Sequence, residues 1–88
     1  MPRYFFHRAD GVFDPDEEGT ELPDLAAARI EAIRFAAASI KDQPEEVWKG
    51  HNFRIEVSDE EGMLLCTVVI LGLDASAARG VRGRRRQG

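Results

Sequence analysis

Residues 25–41, LAAARIEAIRFAAASIK, restrict the fold of this 88-residue chain more than any other stretch. They are rich in alanine and straight-chain residues of high helix propensity. Asp24 stands where its carboxylate can cap the first free N–H groups, and Pro44 stops the pattern beyond Lys41. Everything else reads as short runs of strand or turn. One helix must therefore cover whatever sheet those runs form.

A chain of this length makes one domain with a small core. Its lone cysteine, Cys66, rules out an intramolecular disulfide and suits a reducing compartment. The opening MPRYFFHRAD lacks the apolar centre of a secretion signal. The longest apolar run, residues 63–71, is too short to span a bilayer. The expectation is a cytoplasmic protein with no membrane partner. The net charge of −4 is unevenly spread: residues 1–78 hold seven Lys/Arg against sixteen Asp/Glu, a balance of −9, and the last ten residues add five arginines and no acid.

Residues 3–8 (RYFFHR) read as a strand with Tyr4 and Phe6 on one face and Phe5 and His7 on the other. Asp10-Gly11 suits a tight turn. Val12 and Phe13 begin a return, residues 14–19 form an acidic loop closed by glycine, and residues 20–22 are extended again. This second strand is expected to be short, irregular and, because of Pro15, at an edge. After the helix, Pro44 opens one more helical turn, with Val47 and Trp48 expected to close the end of the core. Residues 53–59 alternate cleanly, with Phe53, Ile55 and Val57 inward and Arg54, Glu56 and Ser58 outward. Across the turn at 59–62, residues 63–71 return as a hairpin partner that is apolar on both faces.

These elements give a ββαββ chain and an α+β two-layer sandwich over residues 1–73, its antiparallel sheet covered on one face by one helix. The strand order 2-1-3-4 makes every neighbouring pair antiparallel. Residues 74–88 form a basic tail with the composition of a disordered segment.

At 100° per residue, Ala26, Ile30, Ile33, Ala37 and Ile40 share the helix stripe expected to face the sheet. Leu25, Ala28, Ala32, Phe35 and Ser39 form the opposite stripe, which is low in charge for a surface. Either its alanines sit in water beside one exposed aromatic, or another chain covers them. Leu64, Val68 and Ile70 pose the same question, because an apolar edge strand is usually covered. Leu25, Ala28, Ala32, Phe35, Leu64, Val68 and Ile70 are therefore the candidate protein interface, and a two-fold homodimer is the simplest partner arrangement.

The residues with reactive side chains form no recognisable motif. His7 reads as a hydrogen-bonded strand histidine, His51 as a solvated loop residue and Cys66 as a small buried hydrophobe. These three, 44 and 15 residues apart, have no zinc-site spacing. Asp14, Asp16 and Glu18 resemble the start of a calcium loop that lacks its distal glutamate. No catalytic, cofactor or metal-binding residue is assigned, and the chain is expected not to be an enzyme. Arg79, Arg82, Arg84, Arg85 and Arg86 are candidate nucleic-acid contacts, since clustered arginines neutralise phosphates. The acidic body and the absence of aromatics among those arginines weigh against that alternative.

Several of these segments together carry a resemblance. Pro2-Arg3-Tyr4-Phe5-Phe6-His7, Asp10-Gly11, Asp16-Glu17-Glu18-Gly19, Glu21-Leu22-Pro23-Asp24, the Ala-rich helix and residues 54–62 (RIEVSDEEG) resemble a family of short, uncharacterised bacterial proteins. Its pattern is PRYFFH…DG…DEEG.ELPD, and the likeness runs from residue 2 to about residue 70. Phe35 is larger than that family's Ala-rich helix implies, and the arginine tail lies outside the likeness. The resemblance implies one small domain of unknown function and no catalytic residues. The reading is a protein-interaction or homodimerising module, with nucleic-acid binding by the tail as the alternative.

Overall fold

A computed structural model describes residues 1–50 and 52–76. In chain order these form β1 (Arg3–Ala9), β2 (Phe13–Asp14), β3 (Thr20–Glu21), α1 (Leu25–Asp42), a short 3-10 helix (Pro44–Trp48), β4 (Phe53–Ser58) and β5 (Leu64–Ile70). The sheet runs β2-β1-β4-β5, with β3 also on β1, and every pairing is antiparallel. The second strand expected from sequence is thus two short pieces. Arg8 and Ala9 pair with β2 at one end of β1, and Arg3 and Tyr4 pair with β3 at the other. His51 and the tail arginines Arg79, Arg82, Arg84, Arg85 and Arg86 lie outside the described residues, as does most of the expected 74–88 tail.

Local chemistry sets the ends of the elements. Asp24 accepts the Ala27 N–H at 2.9 Å and caps α1. At the β4–β5 turn, Asp59 Oδ1 takes the N–H groups of Glu61 and Met63, and Gly62 supplies the positive φ of +84°. A bulge at Val57/Ser58 leaves Leu65 as the extra residue of β5.

The core joins Tyr4 and Phe6 of β1 and Phe53, Ile55 and Val57 of β4 to Ala28, Ala32 and Ala36 of α1. Tyr4 and Phe6 of β1 and Phe53, Ile55 and Val57 of β4 face inward as expected, the bulge turns Leu65 rather than Leu64 to the core, and the helix face is the reverse of the expectation. Ala28 and Ala32, assigned to a candidate protein interface, are fully buried against the sheet. Ile30 and Ile33, expected inside, are 55% and 54% exposed, and only Ile40 of that stripe packs against the core. The reason is volume. The sheet face already carries two large aromatics from β1 and a phenylalanine and two β-branched residues from β4, so the helix approaches closely only through methyl groups. Leu22 and Leu25 pack at the start of α1 and Ile40 near its end. Trp48 does not close the core. It is 59% exposed, and its ring lies on Gly72, where an added Cβ would stand 2.9 Å from the indole.

This arrangement predicts opposite responses from two neighbouring helix positions. Ala32→Leu should overpack the interface and cost about 1–3 kcal/mol. Ile33→Ala should change stability by no more than about 0.5 kcal/mol, as for other exposed sites. Denaturant unfolding of the two variants measures both.

Candidate functional site

The acidic loop between β2 and β3 is held to β1 by Asp16. Between the stretches that pair with β2 and with β3, β1 would carry an unpaired edge. Asp16 Oδ2 accepts the Phe6 N–H there at 3.1 Å, standing in for a strand carbonyl. Its Oδ1 accepts the N–H groups of Glu18 and Gly19 at 3.0 and 3.1 Å, which turns the loop. Burial pushes the Asp16 carboxyl up. The N–H donors of Gly19, Phe6 and Glu18 and the nearby His7 outweigh that, so its pKa falls below the ordinary aspartate value. Gly19 sits at φ +74°, and a Cβ there would come within 3.0 Å of the Phe5 ring and of Arg3. Arg3 adds bonds to the Glu18 carbonyl at 2.9 Å and the Glu21 carboxylate at 3.2 Å.

His7, on the outer face of β1, links this loop to β4. The Asp16 N–H donates to His7 Nδ1 at 3.0 Å, and His7 Nε2 lies 2.9 Å from Ser58 Oγ. A ring that accepts at Nδ1 carries its proton on Nε2 when neutral, so it donates to the serine. General-base activation needs the opposite polarity, in which the ring takes the hydroxyl proton. Ser58 is buried, 6% exposed. In this arrangement the pair acts as a brace between loop and sheet. A cleft of about 300 Å³ on the helix side of the same loop is lined in part by Phe6, Asp14, Asp16, Glu31 and Phe35. Asp16 reaches it with both oxygens already engaged, accepting three backbone N–H bonds between them.

The other edge of the sheet is β5, and the Asp16 bond fixes which backbone groups β5 presents. The Phe6 N–H points away from β4 toward Asp16, so Phe6 and its partner Val57 are a non-hydrogen-bonded pair. Alternation then turns the backbone groups of Val57, Ile55 and Phe53 toward β5, where they meet Cys66, Val68 and Ile70. The N–H and C=O groups of Thr67 and Val69 consequently point out of the sheet, and no strand pairs with them among the described residues. Residues 63–73 (MLLCTVVILGL) contain no charge. Val69 is 56% exposed, with Met63, Leu64 and Leu71 similarly open.

The residues proposed from sequence as an interface are therefore scattered. Ala28 and Ala32 are core residues. Leu25, Val68 and Ile70 are partly buried against the core cluster. Phe35 is 37% exposed at the rim of the cleft, and Leu64 is exposed at the start of β5. Only Leu64 is an open edge residue. Thr67 and Val69, which carry the free backbone groups, were not picked out, because that property comes from pairing and not from side-chain type. Asp16 was readable in part, since aspartate three residues before glycine marks a side-chain-capped turn. Its bond to Phe6 was not.

Asp16→Ala should leave the Phe6 N–H unpaired and cost about 1–3 kcal/mol at neutral pH. Because its carboxyl is held below the unfolded value of about 3.9, Asp16 stabilises the fold above that pH, and the contribution fades as pH falls through the folded value. The difference between wild type and Asp16→Ala should therefore shrink on acidification, as denaturant unfolding at neutral and acid pH would record. Gly19→Ala should lose about 1–2 kcal/mol from the left-handed backbone alone, and more from the contact with Phe5.

No curated protein and no solved structure matches this chain. The family profile of DUF6894, a domain of unknown function, matches residues 3–71, which covers every element from β1 to β5. The chain belongs to this family, DUF6894.

Proposed function

We propose that this domain is a non-enzymatic module that acts through protein contact, with the free edge of β5 as its contact element. The observation behind this reading is the edge itself. An uncharged run from residue 63 to residue 73 carries outward backbone groups at Thr67 and Val69 and open apolar side chains on either side of them. Natural sheets guard such edges with lysine, proline or a covering segment, because a bare one pairs with whatever strand it meets. Strand addition at such an edge obtains affinity from the main chain and selectivity from alternate side chains. The His7–Ser58 pair supports the non-enzymatic part of the reading through its donor–acceptor polarity.

The test is a photo-crosslinking residue placed at Val69 of the full chain, with the same residue at Glu17 on the opposite edge as control. Adducts to protein should form at Val69 and not at Glu17. Equal yields at the two positions would overturn the reading. The same probe in a chain ending at Ala78 addresses the arginine tail: an edge-mediated contact survives the truncation, and one carried by the arginines does not.

A further inference from the structure

We propose that the strand received by β5 is β5 of a second copy of this chain, paired antiparallel about a two-fold axis at Val68. This names the partner of the edge and rests on the protein-contact reading above. The two sheets become one continuous sheet with both helices on the same face.

The backbone carries the register. Thr67 and Val69 hold the outward N–H and C=O groups, and they are disposed symmetrically about Val68. A two-fold axis there sets Thr67 of one copy against Val69 of the other as a bonded pair, twice over, with the two Val68 residues as the non-bonded pair between them. The register uses neither Leu65, the extra residue at the bulge, nor Leu71, which lies beyond the end of β5.

The side chains agree with it on both faces. A two-fold axis normal to the sheet keeps helix-side residues on the helix side in both copies. Phe53, Ile55 and Val57 of β4 are fully covered, but Cys66, Val68 and Ile70 of β5 are only partly so. In the pair, Val68 faces Val68 and Cys66 faces Ile70, and the apolar strip that each helix leaves half open is closed by its counterpart. On the outer face the exposed Thr67 and Val69 meet. Charge favours the same seam. Residues 63–73 bring no acid against acid, in a body whose residues 1–78 have a balance of −9.

The experiment combines molar mass by light scattering, at a dilute and a concentrated loading of the full chain, with amide hydrogen exchange at Thr67 and Val69. The expected result is twice the chain mass at the concentrated loading, falling toward the single-chain mass on dilution, with both amides slow while the dimer persists. Thr67→Lys, whose ammonium would face Glu56 on β4, should be a folded monomer in which the Val69 amide exchanges fast. A single-chain mass at both loadings overturns the proposal, and adducts to other proteins at Val69 would then leave the protein-contact reading standing. A dimer in which these two amides remain fast overturns it as well. Should Thr67→Lys fail to fold, the wild-type mass and exchange still decide.

Discussion

The close approach of α1 to the sheet sets the rest of the structure. Ala28, Ala32 and Ala36 recur every four residues and lie flat on a surface built by Tyr4, Phe6, Phe53, Ile55 and Val57. Bulk sits on one layer and smallness on the other, so the layers can pack closely. A domain of this size has few other sources of stability. It contains one cysteine and so no internal disulfide, and its exposed ion pairs, such as Arg3–Glu21, contribute little. The close fit also has a surface consequence. With alanines turned inward, Ile30 and Ile33 face away from the sheet.

The two edges of the sheet are treated in opposite ways. At β1 the chain spends a loop, an aspartate and a glycine to complete a ladder that β2 and β3 cover only at its ends. Asp16 gives a carboxylate oxygen to the Phe6 N–H, and His7 joins the same loop to Ser58. At β5 nothing comparable exists among the described residues, and the exposed strip lacks the charges that would discourage pairing. That asymmetry is the physical ground for the proposal of a contact element at β5. It also gives the PRYFFH and DEEG segments a structural purpose, since together they form the latched edge.

The histidine, serine and acidic side chains illustrate how chemistry-bearing residue types become structural. His7 and Ser58 are 51 residues apart in the chain and 2.9 Å apart in space. Their proton is directed by a backbone donor on the far side of the ring. One hydrogen bond from the Asp16 amide therefore converts a potential nucleophile–base pair into a brace.

Much of the fold was legible in the residues taken singly. The N-capped helix, the alternating β4, the hairpin turn at Asp59 and Gly62, the faces of β1 and the broken second strand all follow from period, capping and turn chemistry, which act within a few residues. The inward face of α1 was not legible. Ranking side chains by hydrophobicity selects the isoleucine stripe, whereas the sheet, contributed by residues before and after the helix, left space only for alanine. The candidate site divides along the same line. That residues 63–71 are apolar on both faces is a property of the sequence. That Thr67 and Val69 carry the free backbone groups depends on Asp16 occupying the far side of β1 and on alternation passing through two intervening pairings. Side-chain period and turn type are local quantities, and the sequence by itself determined them. Packing volume and hydrogen-bond parity belong to surfaces brought together by folding, and only the tertiary structure decided them.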